Sequence, residues 1–400
     1  MDTEEFVATF AVERSGSDCL KWDALEERFG DKNLLPLWVA DMDFKAPPAV
    51  EAALIRRIHQ GAFGYSQNLP EYFPAFAAWQ QSRHGITLAP EWLRFSKGVV
   101  ESLYHLIQIF TKPGDGVLIQ PPVYYPFFNA VRDTGRRLVE NHLVQTDEGD
   151  WRMDFENFEK LLASEAVRVF LLCSPHNPVG RVWREAELAE LFRLCEKYDV
   201  LIIADEIHQD FDFSETGFVS ALQVAQGRFH DRLVVVNAPS KTFNLASLLH
   251  GHILLPDRRL QEQFDEGIKP LSQSENNLLG QTAGAAAYQK GGEWFDGVKQ
   301  VIRENYRYLE QQLKKTAPKI RVGRLEGSYL VWLDLRQLGL EDAQAVAAFV
   351  KKDCRLAVDF GSWFSSATAS FIRLNLACPP AIITEACERL AAGVAKLAAE

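Results

Sequence analysis

The chain has 400 residues, 47% of them hydrophobic and 24% charged, with a formal net charge of −11 at pH 7. That is the composition of a globular protein long enough for two or three domains and a sizeable core. The acidic balance argues against nucleic acid or an anionic membrane surface as a partner, no apolar run approaches the length of a membrane span, and small-molecule chemistry stays open because local charge decides it.

The first five residues, Met1-Asp2-Thr3-Glu4-Glu5, are acidic and lack the apolar stretch of a secretory signal. The six cysteines (Cys19, Cys173, Cys195, Cys354, Cys378, Cys387) are scattered, without metal-ligand spacing. Reduced thiols in a cytoplasmic protein are the expectation. Residues 1–45 show no long helical pattern; Arg14 to Asp23 and Trp38 to Phe44 read as an arm and a turn entering the core. Val50 to Gln60 has helical spacing and is followed by Phe63-Gly64-Tyr65. Ser96-Lys97-Gly98-Val99-Val100-Glu101 opens a helix with Val99, Leu103, Leu106, Ile107 and Phe110 on one side. Gly98, Val99 and Val100 at that start are candidates for an anion cradle, since the first amides of a helix have no partner within it. Pro113 to Gly116 is a turn and Val117 to Gln120 a strand. Tyr124, just beyond, offers an aromatic face to a flat ligand, whereas Phe127 and Phe128 read as core.

The middle of the chain carries the chemistry. Val167 to Cys173, Val200 to Ala204 and Leu233 to Val236 are apolar runs with the length of buried strands. Between the first two, Leu188, Leu191, Phe192 and Cys195 recur at i, i+3, i+4 and i+7, an amphipathic helix over Glu185 to Tyr198. This predicts strand–helix–strand units and a parallel sheet. Each strand then breaks into a polar loop: Ser174-Pro175-His176-Asn177-Pro178, Asp205-Glu206-Ile207-His208, and Asn237-Ala238-Pro239-Ser240-Lys241. Open α/β sheets bind ligands at the carboxyl ends of their strands. An amine, a carboxylate and an amide on one rim suit pyridoxal 5'-phosphate (PLP). Lys241 would bond the cofactor's carbonyl, Asp205 would keep the pyridine nitrogen protonated, and Asn177 would hydrogen-bond the ring's 3-oxygen.

Gly251 to Leu255 is a further strand, and His250-Gly251-His252 lacks the additional ligands of a metal site, so no metal is expected. From about Gly291 helical segments (Phe295 to Lys315) alternate with short strands (Tyr329 to Leu335, Phe371 to Leu376), which reads as a smaller C-terminal domain. Arg373 lies in the last strand, on the face shared by Phe371 and Asn375. It is either one half of a buried ion pair or a bidentate clamp for a carboxylate.

Several motifs stand in one order along the chain: Lys21-Trp22-Asp23, Trp38-Val39-Ala40-Asp41-Met42-Asp43-Phe44, Phe63-Gly64-Tyr65, Pro121-Pro122-Val123-Tyr124, His176-Asn177-Pro178-Val179-Gly180-Arg181, Asp205-Glu206-Ile207-His208-Gln209-Asp210, Ala238-Pro239-Ser240-Lys241-Thr242-Phe243-Asn244 and Ile372-Arg373-Leu374-Asn375. Together they resemble a fold-type I PLP enzyme of the aminotransferase class I/II group, and more narrowly its cystathionine β-lyase / cysteine C–S lyase branch. The resemblance implies an α/β fold with a mainly parallel central sheet flanked by helices and a smaller α+β domain. It implies an N-terminal arm over 1–45 joining the small domain, a large cofactor domain over 46–290 and a small domain over 291–400. Lys241 would be the catalytic residue. Asp205, Asn177, Tyr124, His208, Ser240, Gly98, Val99 and Val100 would bind the cofactor, together with Tyr65 reaching across a homodimer to the partner's phosphate. Arg373 and the backbone at Val39 and Ala40 would take the carboxylate of an amino acid substrate.

The chain also departs from the group. Where a tyrosine often follows the aspartate by three residues there is His208, and two frequent phosphate ligands are replaced by Ala238 and Leu249. Gly361 to Thr368 has fewer glycines than the group's usual loop before the arginine. The lyase branch looks like this, so β-elimination from an S-substituted L-cysteine is the leading expectation. Transamination of a small amino acid, and a PLP-binding protein that regulates a transcription factor by contact, are the alternatives; fold alone separates none of them.

Overall fold

The computed structural model describes residues 1–271, 277–340 and 342–399. It divides into two compact units, one of Met1–Lys45, Asn177–Gly180 and Asp296–Glu400, the other of Ala46–His176 and Arg181–Phe295.

The larger unit is built on seven strands: β1 (Leu93–Ser96), β2 (Gly116–Ile119), β3 (Arg137–Glu140), β4 (Val167–Cys173), β5 (Leu201–Asp205), β6 (Leu233–Asn237) and β7 (Gly251–Leu254). Their order in the sheet is β1-β7-β6-β5-β4-β2-β3. Strands β3, β2, β4, β5 and β6 are parallel neighbours. β7 runs antiparallel to both β6 and β1, so six of the seven strands share one direction. The central strands are apolar on both faces because helices cover both sides. One of these is Glu185–Lys197, whose Leu188, Leu191, Phe192 and Cys195 are buried as the spacing predicts. Each such side chain contributes about 1.5–3 kcal/mol by leaving water. The register sets Cys173 beside Asp205 and Asp205 beside Val236, which brings the carboxyl ends of β4, β5 and β6 into line.

The His250-Gly251-His252 stretch is core. His252 Nδ1 lies 2.7 Å from Asn237 Oδ1, and its Nε2 lies 2.5 Å from the Tyr72 hydroxyl. The His250 ring packs against Tyr72 and Phe95. Gly251 is required between them, for a Cβ there would sit 2.9 Å from Ser96 Oγ and 3.0 Å from Gly98 Cα. Phe127 is fully buried and Phe128 nearly so.

The smaller unit holds an antiparallel sheet of β8 (Arg321–Val322), β9 (Leu330–Asp334), β10 (Asp359–Phe360) and β11 (Phe371–Asn375), in the order β8-β9-β11-β10. The N-terminal segment is tied into this unit, with Leu35–Pro36 pairing parallel to Leu356–Ala357. The segment starts with a helix, Thr3–Phe10, where no long helical pattern was expected. Its two turns carry only Phe6 and Phe10 as buried positions, too few for a clear period, and the Asp2 carboxylate caps it by accepting from Glu5 N at 2.9 Å. Further on, Lys21 Nζ is fully buried 2.6 Å from Asp43 Oδ2, and Trp22 Nε1 donates to the other oxygen at 3.1 Å. Such a pair tolerates burial only because both partners are engaged. Among the described residues no helix is long and apolar enough to cross a membrane.

Candidate active site

In the larger unit, the loops after β1, β2, β5 and β6 all leave the sheet at the edge where the six codirectional strands end. These loops carry Gly98, Tyr124, His208, and Ser240 with Lys241, and Asp205 is the last residue of β5. β4 ends at the same edge, and Asn177 follows it by four residues. The topology therefore gathers the strand ends that lead to each of them.

Lys241 is half-buried in a single helical turn, Pro239–Thr242, that begins two residues after β6. Pro239 occupies the first position of that turn, where a missing N–H costs nothing and the fixed φ suits a helix start. The two residues after the lysine anchor it. Phe243 is fully buried, its ring 5.0 Å from that of Trp79, and Thr242 Oγ1 donates to Asp210 Oδ2 at 2.6 Å. Asp210 also accepts from Trp79 Nε1 at 2.9 Å, and its Oδ1 lies 2.7 Å from His84 Nε2. Burial alone would raise the Asp210 pKa, but its contacts with His84, Thr242 and Trp79 outweigh that and hold it below the usual carboxylate range. The sequence reading gave Asp210 and Thr242 no role. The available signal was a third acid in the loop Asp205 to Asp210.

Asp205 is the last residue of β5 and is 4% exposed. Burial pushes its pKa up to about 7, against the opposing pull of the Ile207 amide, which donates to it at 3.0 Å, and of the Lys241 charge. Asp205 and Lys241 are thus electrically coupled. Glu206, next in sequence, is raised to about 8 by burial and accepts from Ala221 N and Ser220 Oγ at 2.6 and 2.7 Å, a structural role in the following loop. His208 is buried in the same loop, and Tyr124 and Ser240 are half-buried.

Gly98 precedes the helix Val99–Phe110 with φ of +153°, and nothing lies within 4 Å of where its Cβ would be. A side chain at residue 98 would therefore enter open space just ahead of the helix's first turn. Val99 is buried and Val100 exposed. Tyr65 is 95% exposed and belongs to no strand-end loop.

In the smaller unit, Arg373 sits in β11 at 2% exposure. One guanidinium nitrogen donates to Asn177 Oδ1 at 2.8 Å and another to Trp38 O at 3.2 Å; the latter also forms an ion pair with Asp359. Asp359 faces Arg373 across the β10–β11 pairing. The ion pair weighed from sequence is present, but its partner was not legible there. Arg373 Nε is buried without a hydrogen-bond partner. The bond to Arg373 also fixes the Asn177 amide, committing its oxygen and leaving the NH2 as the end directed elsewhere. Val39 and Ala40 are half-exposed. Among the described residues, no group of three or more His, Cys, Asp or Glu side chains could hold a metal ion.

Comparison with known proteins gives concordant results. Residues 32–390 match the family described as aminotransferase class I and II. The chain is 38% identical to cystathionine beta-lyase PatB of Bacillus subtilis, over 96% of this chain and 98% of that protein. It is 30% identical to protein MalY of Escherichia coli, over 92% and 93% of the two chains. Among solved structures it resembles cystalysin of Treponema denticola, which contains a pyridoxal 5'-phosphate cofactor, with a TM-score of 0.91 and 33% identity over 96% and 98% of the two chains. The parallel sheet expected from strand spacing and the fold implied by the motifs agree with the fold of these proteins, and the chain belongs to the aminotransferase class I and II family.

Proposed function

We propose that this protein is a PLP-dependent carbon–sulfur lyase that converts cystathionine or another S-substituted L-cysteine to a thiol, pyruvate and ammonia. The observation that carries this reading is the buried carboxyl of Asp205 coupled to Lys241 at the ends of two adjacent parallel strands. The residues fit the cofactor. A buried acid still raised to about 7 beside the Lys241 charge can be stabilised by a further cation, and a ring nitrogen that binds a proton would supply one. Gly98 leaves open space where a side chain would lie at the start of Val99–Phe110, and a helix start with free amides suits a phosphate. The names of PatB and cystalysin's cofactor support the same assignment.

When bound, PLP supplies an aldehyde for an amino group and an electron-poor ring that takes up the charge left on Cα. Lys241 would hold the cofactor by its aldehyde carbon. When not holding the cofactor, its Nζ would serve as the general base for the substrate's Cα proton. Asp205, ionised, would favour a proton on the ring nitrogen. Asn177 would donate from its NH2 to the ring oxygen, and Tyr124 and His208 would be further contacts to the ring. Ser240, the amides of Gly98, Val99 and Val100, and Tyr65 of a second subunit would hold the phosphate. Arg373, with the backbone at Val39 and Ala40, clamps the α-carboxylate and so orients the Cα–H bond. Residues 1–45 and 291–400 would then act as the small domain, and 46–290 as the large one. The six buried free cysteines support a cytoplasmic location.

Borohydride reduction of the PLP-loaded protein, followed by peptide mapping, should place the cofactor on Lys241. Pyruvate and thiol should form from L-cystathionine without an added keto acid, and the particle should have twice the mass of the 45.2 kDa chain. An unmodified Lys241, or products that require a keto acid, would overturn the assignment.

A further inference from the structure

In the smaller unit Arg373 and Asp359 stand opposite each other in the β10–β11 pairing, at 2% and 3% exposure. Opposed residues of an antiparallel pair put their side chains on one face. The guanidinium carbon lies 5.0 Å from the centre of the Phe364 ring. A guanidinium carries five N–H groups, one on Nε and two on each Nη. Nη1 donates to Asn177 Oδ1 at 2.8 Å. Nη2 has two hydrogens and two acceptors, Trp38 O at 3.2 Å and the Asp359 carboxylate. Nε is buried without a partner among the described residues.

A carboxylate gripped by both oxygens needs two N–H groups on one edge of the guanidinium plane. The plane has two such edges, Nε with Nη2 and Nη1 with Nη2, because the outer side of Nη1 faces the Cδ methylene. Both edges use Nη2, whose two acceptors are already in place. The clamp is therefore closed in part by a carboxylate of the chain itself. An incoming carboxylate displaces either Asp359 or Trp38 O from Nη2, and in the second case it lies beside Asp359 as a like charge. Asp359 opposes it both ways. We propose that Asp359 stands in for the substrate's α-carboxylate on Arg373 and sets how tightly the amino acid binds. Without substrate it keeps a buried cation compensated, which an empty clamp would not. Binding then exchanges one carboxylate for another, and affinity is held down with no contact to the reacting atoms. Asp359 acts only through Arg373, as a positioning residue. This inference rests on the reading above, that Arg373 takes the α-carboxylate.

Asp359→Asn keeps the shape and one acceptor and removes the competing charge. In the PLP-loaded enzyme it should lower KM for S-ethyl-L-cysteine about tenfold with kcat within about twofold, because the competitor weakens substrate and transition state alike. The α-carboxamide of the same substrate should keep its KM within about twofold, and ethanethiol release reports both reactions. A second readout needs no turnover. At constant ionic strength, acetate should raise the melting temperature of the PLP-loaded variant at concentrations about tenfold lower than in wild type, and acetamide should not. Asp359→Ser is read in the same two assays should Asp359→Asn fail to fold. A KM for the acid that rises or stays unchanged, an equal change for acid and amide, or equal acetate sensitivity of variant and wild type would mean that Asp359 only supports Arg373. The inference is then wrong while the lyase assignment stands. If borohydride leaves Lys241 of the wild-type protein unlabelled, the lyase assignment fails and the acetate titration alone decides this inference.

Discussion

Asp205 is an acid kept from water until something cationic reaches it. Its pKa is raised by burial from an ordinary value near 3.8 to about 7. A carboxyl whose folded pKa lies above its unfolded one favours folding while protonated, and that contribution is lost as pH rises through the folded value. Asparagine resembles the protonated acid and does not titrate. Cofactor-free Asp205→Asn should therefore unfold at a higher temperature than wild type at pH 8. The gap should open between about pH 4 and 7 and level off above that, a series that calorimetry can follow. The same substitution should lower turnover of the PLP-loaded enzyme by about 10²–10³-fold, since a preorganised charge is removed from the reacting ring.

The turn Pro239–Thr242 and the loop Asp205 to Asp210 act as one assembly, because Asp210 binds Thr242 from one side and Trp79 and His84 from the other. Lys241 is thereby held in place through its neighbour Thr242. Asp210→Asn keeps the shape but cannot satisfy these three partners as an ionised acceptor. It should cost about 1–3 kcal/mol in urea unfolding. Thr242→Val should cost about 1 kcal/mol, and the double variant should cost less than the two added together, since both remove the same bond. Additive losses would mean that the Asp210–Thr242 contact contributes nothing.

Over the molecule, buried titratable groups set two opposite slopes of stability against pH. Burial lowers His176 and His250 to about 4 and pushes His252 well below its ordinary value. A base with a depressed folded pKa stabilises the fold above its unfolded pKa, near 6.5, and that contribution is lost as pH falls toward the folded value. Asp205 and Glu206, raised to about 7 and 8, slope the other way. Differences between variants are thus more informative than the wild-type curve. His250→Phe removes one titrating group from an aromatic contact with Tyr72 and Phe95. It should flatten the fall in melting temperature between pH 6.5 and 4.5, by at most about 1.4 kcal/mol per pH unit.

The strand-end positions of Lys241, Asp205 and Asn177 were legible in the sequence because each depends on a local pattern, an apolar run of strand length broken by a polar turn. The spacing of those runs, with an amphipathic helix between two of them, implied parallel strands and hence a shared edge. The helix Thr3–Phe10 was not legible, since two buried phenylalanines make no period. Nor were Asp359 beside Arg373 or Asp210 beneath Thr242. Arg373 and Trp38 are 335 residues apart in the chain, and no local pattern records which distant donor a loop carbonyl will meet. Periodicity and turn chemistry act over a few residues and fix where the reactive groups lie along the chain. Which buried partner satisfies each of them depends on long-range packing, and that packing sets their charge state and direction.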